Sequence, residues 1–235
     1  MFVRTRMTEN VVTIGPKRSL YEALILFEKN HYEGLPVLEG GVLKGIITER
    51  VIMREFCAFC AKQNITAGVD LDLPLPFSTS KLELDVNKRR IAQFLHFRTV
   101  EELMEKDIVT VDKEAPIEEA AELMLKNSIN ILPAVNDIGE LKGVITKTDI
   151  LEVFDEIFAL SEKGERITLA VDDDLGSLGN ITGVLKNAKI NIISAVTTMP
   201  RYRDVYLVIL KVEEGERAKK VLEKHQYKVL SSQYL

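Results

Sequence analysis

The chain has 235 residues, 46% of them hydrophobic and 29% charged, with a formal net charge of −5. That is apolar material enough for one large core or two to three small ones, and the acidic balance speaks against a general nucleic-acid binder, which carries a basic excess. No stretch approaches the roughly 18 uninterrupted apolar residues of a membrane span, the start MFVRTRMTENVV has no signal-peptide core, and two cysteines make no disulfide framework, so a cytoplasmic protein is expected.

In chain order, Ser19-Leu20-Tyr21-Glu22 has the form of a capping box, opening a helix whose Leu20, Ala23, Leu24 and Phe27 recur at helical spacing. Two apolar runs follow in GLPVLEGGVLKGIIT, the pattern of two buried strands joined by a tight turn. The segment VIMREFCAFCAK begins as a helix and opens a long connection, 51–99. Pro74 and Pro76 preclude regular structure over 70–80, and a helix resumes over 85–97. On that helix Lys88-Arg89-Arg90 forms a solvated face opposite Ile91, Phe94 and Leu95. Cys57-Ala58-Phe59-Cys60 is a CxxC, but a structural zinc site wants four ligands, and His31, His96 and His225 are scattered. Core packing of the cysteines is expected and no metal site is assigned.

From Met104 the pattern starts again. Pro116 is expected at the first position of a helix that buries Ile117, Ala120, Ala121 and Met124. Apolar runs at 131–135 and 141–145 flank the turn Asn136-Asp137-Ile138-Gly139 and end in Thr146-Lys147-Thr148-Asp149. Met7 matches Met104, Thr13 Thr110, Ala23 Ala120, Asn30 Asn127 and Pro36 Pro133, each pair 97 apart (133 − 36), and Thr48 matches Thr146 at 98. This is an internal duplication. Each copy reads as strand, helix, strand, strand and closing helix, and one copy alone leaves a sheet face bare, so the two are expected to pack together.

After a closing helix over 150–161 and a linker at Lys163-Gly164, a third unit runs strand, helix, strand, strand, helix, strand, with a turn at 201–204. That order is the ferredoxin-like arrangement. The expected fold class is therefore α/β (α+β), a duplicated unit followed by a βαββαβ domain.

The duplicated motif, with Leu-Pro-Val or Leu-Pro-Ala and then Gly-(Ile/Val)-Ile-Thr, resembles a pair of CBS domains over 7–51 and 104–153. The third unit resembles an ACT domain through Asp173, Gly176 and Leu178 at its first loop and Asn191-Ile192 at its second strand, although Leu175 stands where that family often has proline. The combination is similar to the acetoin-utilisation B proteins. The resulting boundaries are 1–63 and 98–160 for the CBS domains, 64–97 for a helical insertion and 165–235 for the ACT domain.

The resemblance implies a regulatory protein without catalysis. An adenosyl ligand (AMP, ADP, ATP or S-adenosylmethionine) would sit at the strand tips of the second copy. Asp149 would accept hydrogen bonds from the ribose hydroxyls, two oxygens meeting two donors. Thr146 and Thr148 would lie near ribose or phosphate. The backbone of Ile129, Asn130 and Ile131, just before Pro133, would meet the adenine edge, with Thr110 on the far side. Alternatively, Thr146 and Asp149 serve only to cap the closing helix. In the first copy Val51 replaces the aspartate, so Thr13, Tyr32, Gly34, Thr48 and Arg50 form a weaker second site, with Arg50 suited to a phosphate. Asp173, Gly176, Leu178, Asn191 and Ile192 are the candidate amino-acid site. A homodimer is expected, with no obligatory cofactor, no nucleic acid and no membrane. The alternative is a scaffold that docks a partner enzyme through the third unit or the insertion, with no ligand in the pair.

Overall fold

The computed structural model describes residues 1–30, 32–63, 65, 82–172, 174–199 and 206–234. His31, Pro74, Pro76, Asp173 and the expected turn at 201–204 lie outside the described residues. The chain forms two compact units, Met1–Asp149 and Ile150–Leu235.

In the first unit the expected capping box forms. Glu22 Oε2 accepts from the Ser19 backbone N–H (2.9 Å) and Ser19 Oγ from the Glu22 N–H (3.2 Å). Helix α1 (Leu20–Asn30) follows and buries Leu20, Ala23 and Phe27. Strands β1 (Gly34–Glu39) and β2 (Val42–Thr48) pair antiparallel around Gly40-Gly41. Those glycines have φ of 59° and 84°, the positive values that a two-residue hairpin turn asks of both positions. Helix α2 (Glu49–Lys62) starts on Thr48, whose side chain accepts from the Val51 N–H. Helix α3 (Leu82–Phe97) then seats Ile91, Phe94 and Leu95 in the same core as Leu35, Ile47 and Ile52. A single turn, α4 (Val100–Leu103), leads into the second copy.

There β3 (Val111–Asp112) pairs parallel with β4 (Ile131–Val135), which pairs antiparallel with β5 (Leu141–Thr146). Helix α5 (Ile117–Asn127) lies between β3 and β4 in the chain. Pro116 stands one place outside it, as the N-cap with ψ 148°, rather than at the first helical position. The first copy reproduces the parallel contact in miniature: Ile14 bridges Val37, at positions equivalent to Val111 and Ala134.

The two copies trade their leading segments. Ile46 and Glu105 exchange backbone hydrogen bonds (3.0 and 2.8 Å), and the equivalent Val144 and Thr8 do the same (3.0 and 2.8 Å). Likewise the Leu20 N–H donates to Arg98 O and the Ile117 N–H to Met1 O, both at 3.0 Å. Reciprocal contacts of this kind define an internal two-fold relation. They also explain two glycines. A Cβ on Gly45 would lie 2.7 Å from Met104 Sδ and 2.8 Å from Glu105 O, and one on Gly143 2.6 Å from Thr8 O. Only glycine lets the partner copy's backbone approach so closely.

Helix α6 (Lys147–Phe158) crosses the boundary between the units and stops at Ala159 (φ 48°), short of the expected 150–161. In the second unit β6 (Glu165–Val171), β7 (Ile192–Thr198), β8 (Tyr206–Val212) and β9 (Lys228–Tyr234) form an antiparallel sheet in the order β7-β8-β6-β9. Helices α7 (Ser177–Asn187) and α8 (Gly215–Lys224) connect them, giving the ferredoxin-like βαββαβ fold. Ile167, Leu169, Ile181, Leu185, Leu210 and Leu222 are fully buried between sheet and helices. Lys211 on β8 is 2% exposed, and its Nζ donates to Ala159 O (2.6 Å) and Leu160 O (3.3 Å). An ammonium suits those carbonyls because a helix presents its negative end there.

Candidate ligand site in the duplicated unit

Strand ends that stop side by side leave open polar tips, and the duplicated unit builds a cavity on them. It holds about 150 Å³. Thr48, Arg50 and Arg54 line it from the first copy, and Ile129, Asn130 and Ile131 from the second. Segment 105–109, delivered by the exchange of leading segments, adds Asp107 and Ile108. The apolar part is thus a strand-edge backbone with isoleucines, and the polar part draws on Thr48, Ser128 and Asn130, the two arginines Arg50 and Arg54, and the two acidic residues Glu105 and Asp107. Such a set suits a flat apolar ring at one end and an anionic or hydroxyl-bearing group at the other.

This cavity draws on both groups of residues expected from the sequence. Ile129, Asn130 and Ile131 meet Thr48 and Arg50, whereas Thr110, Pro133, Thr146, Thr148 and Asp149 do not line it. Gly34 does not line it but packs against two residues that do: a Cβ there would lie 3.2 Å from Ile131 Cγ2 and 3.3 Å from Thr48 Cγ2. Pro133 is buried within β4, while Thr13, Tyr32 and Thr110 are half-buried. Sequence reasoning missed Arg54 and Asp107. Arg54 lies one helical turn beyond Arg50, so its signal was the helix itself. Asp107 carries no motif, because its place depends on a pairing between copies.

At the second copy's strand tip Asp149 Oδ2 accepts from the Thr146 backbone N–H (2.6 Å) and hydroxyl (2.7 Å), and Thr146 Oγ1 accepts from the Asp149 N–H (3.3 Å). This is a capping box with aspartate in the glutamate position. Both residues are half-buried and Thr148 is exposed. Thr146 is also the cross-strand partner of Ile131, and the Lys147 N–H donates to Asn130 O (3.0 Å).

In the second unit Gly176 (φ 87°) is the N-cap of α7, and Leu178 is 39% exposed. Asn191 donates its amide to Glu213 (2.9 Å), and Ile192 begins β7 opposite Val212. Asp173 lies outside the described residues. The CxxC departs from expectation in part. Cys57 is exposed, because on α2 it points away from the stripe that α3 covers, and Cys60 packs partly against the core. Burial, and then the neighbouring Cys57, push the Cys60 thiol up, the opposite of what a reactive thiolate needs. Among the described residues no three His, Cys, Asp or Glu side chains gather as a metal site would require, and no helix is long and apolar enough to cross a membrane.

The CBS domain model matches residues 3–57 and 100–156. The chain is 31% identical over 160 residues to the uncharacterised protein MJ1426 of Methanocaldococcus jannaschii, covering 65% of this chain and 90% of that one. It is 27% identical to the CBS domain-containing protein YhcV of Bacillus subtilis, over 63% of this chain and 81% of that protein. A second M. jannaschii protein, MJ1225, is 29% identical but only 45% covered. Among solved structures, CBSX2 in complex with AMP is 24% identical with a TM-score of 0.47, covering 66% of this chain and 97% of that chain. The chain belongs to the CBS-domain proteins and carries its CBS domains as a pair.

Proposed function

We propose that this protein is a non-enzymatic regulator that senses an adenosyl ligand through its CBS pair. The observation that carries the reading is the cavity between the copies, where the Ile129–Asn130–Ile131 backbone faces Thr48, Arg50 and Arg54. Adenine stacks against the isoleucines and bonds to backbone groups, and phosphate meets the two guanidiniums. The internal two-fold relation implies a counterpart that joins Thr13, Tyr32 and Gly34 to Thr146, Thr148 and Asp149. Asp149 Oδ2 is engaged by Thr146, so its other carboxylate oxygen is the one offered to a ribose hydroxyl. The two sites are unequal: one has two arginines and Val51, the other has Asp149.

Ligand binding orders the strand tips, and α6, which starts on Thr146, leads from there into the second unit. That unit is proposed to be an ACT domain whose Gly176, Leu178, Asn191 and Ile192, with Asp173, take an amino acid. The boundaries 1–63, 64–97, 98–160 and 165–235 belong to the same reading, as do a cytoplasmic homodimer and a role in acetoin-utilisation-type metabolic regulation with a partner enzyme.

The test is a thermal-shift series with AMP, ADP, ATP, S-adenosylmethionine and the common amino acids. A ligand at 100 times its dissociation constant stabilises by about 2.7 kcal/mol. An adenosyl compound should raise the melting temperature of the wild type and do so less in Arg50→Ala. A shift from an amino acid alone would move the sensing role to the second unit. The scaffold alternative is favoured by one observation, the engagement of Asp149 by Thr146, and it predicts no shift from any adenosyl compound.

A further inference from the structure

Because the copies match position by position, the two strand-tip sites can be compared residue by residue. Asp149 stands in the first turn of the second copy's closing helix, and Val51 holds its place 98 positions earlier (149 − 51). The leading segments differ in the reverse sense. Asp107, which lines the cavity, has Asn10 as its equivalent 97 positions earlier (107 − 10). Each site therefore has one aspartate at these two positions, but on a different segment. Where the closing helix has lost it, the other copy's leading segment supplies it.

Asp107 is held at the cavity by its neighbours in the chain. Ile46 and Glu105 exchange backbone hydrogen bonds two residues before it, and Ile108 just after it packs against Ile46 and Ile131, which also line the cavity. One methylene joins the carboxylate to this fixed backbone, so little rotamer freedom is lost when a ligand binds. Among the described residues neither Asp107 nor Arg50 has a side-chain hydrogen bond or an ion pair, although both line the cavity. Two opposite charges that share a cavity without neutralising each other are both left for a ligand. The guanidinium suits a phosphate, and the two carboxylate oxygens suit a vicinal diol. Val51 is 6% exposed and offers a hydroxyl no acceptor.

We infer that Asp107 reads the ribose hydroxyls in the first copy's site, in place of Val51, while Arg50 and Arg54 meet the phosphate. The inference rests on the proposed adenosyl site and adds to it a specificity-determining residue. The site is then composite, with its phosphate-binding side chains from one copy and its ribose acceptor from the other. Glu105 lines the cavity too, but its longer side chain gives up more rotamer freedom on binding and is the poorer acceptor.

The experiment is calorimetry of AMP and of 2′-deoxy-AMP, which lacks one hydroxyl of the diol, on the full chain. Asp149→Asn is the background, because it removes the charged acceptor of the second copy's site and keeps an acceptor for the Thr146 N–H. In that background AMP should bind about tenfold or more tightly than 2′-deoxy-AMP. Adding Asp107→Asn should weaken AMP about tenfold and abolish the preference, whereas adding Glu105→Gln should leave it. An unchanged melting curve for each variant shows that the fold is intact. Equal affinities for the two nucleotides in the background overturn the inference, and so does a preference that survives Asp107→Asn or is lost in Glu105→Gln. A gain for both nucleotides alike in Asp107→Asn also overturns it, because the carboxylate then does no more than repel phosphate. If AMP binds neither the wild type nor any variant, the adenosyl reading of this site fails as well, which separates that failure from the loss of the Asp107 assignment alone.

Discussion

The carboxylate of Asp149 receives both the backbone N–H and the hydroxyl of Thr146, at 2.6 and 2.7 Å. One side chain therefore holds the start of α6 and stands at the strand tip where a ribose would be read. These roles separate by substitution. Asp149→Asn keeps an acceptor for the Thr146 N–H, whereas Asp149→Ala leaves that group unpartnered and should cost about 1 kcal/mol in urea unfolding. If Asp149 also binds ribose, both variants should lose ligand affinity, although only the alanine variant loses stability.

Gly45 and Gly143 are the places where the copies exchange their leading segments. Gly45→Ala drives a methyl against Met104 Sδ and Glu105 O, and Gly143→Ala against Thr8 O. Each should destabilise the protein by about 1–3 kcal/mol. Met104→Ala should not fully rescue Gly45→Ala, since the Glu105 carbonyl remains in place. Denaturant midpoints of the single and double variants decide this.

Two capping boxes meet at the Ser19–Thr99 bridge. Glu22 is held below the usual carboxylate range chiefly by the Ser19 backbone N–H, and Glu102 by the Thr99 N–H. A carboxyl that ionises more readily in the folded chain than in the unfolded one contributes stability above its unfolded pKa. That contribution disappears as pH falls below about 4.5 through the lower folded value. Melting temperature should therefore drop in this window. The drop should not flatten in Ser19→Ala or Thr99→Ala, which keep the backbone donors, as much as in Glu22→Gln combined with Glu102→Gln.

Lys211 ties the C-terminal end of α6 to β8. Lys211→Met fills the same space without donors and leaves the Ala159 and Leu160 carbonyls unmatched, at a cost of about 1–3 kcal/mol. Hydrogen exchange should quicken first in the last turn of α6. An unchanged exchange pattern would mean that the helix end is held by packing alone.

Much of this architecture is legible in the sequence, because its signals are local. The Ser19 and Glu22 pair and the Gly40-Gly41 turn each depend on neighbours in the chain, and the 97-residue register is read by comparing one local pattern with its repeat. The grouping of site residues is not local. Ile129–Asn130–Ile131 faces Thr48 and Arg50 of the other copy because Glu105 pairs with Ile46, and no spacing within one copy records that pairing. Lys211 was missed for the same reason: a lysine in an apolar strand looks like an exposed edge position until α6 brings its carbonyls to it. Cys57 looked like core because apolar residues surround it in sequence, but helical geometry turns it to the side that α3 leaves open.

The most direct test of the account is isothermal titration calorimetry of AMP, ATP and S-adenosylmethionine into the wild type, Arg50→Ala and Asp149→Ala. At least one of these compounds should bind the wild type saturably. Arg50→Ala should weaken a phosphate-bearing ligand more than S-adenosylmethionine, and Asp149→Ala should weaken any ligand read through its ribose, by about tenfold or more in each case. Absence of binding heat from all three compounds, or affinities unchanged in both folded variants, would contradict the proposal that the CBS pair senses an adenosyl ligand.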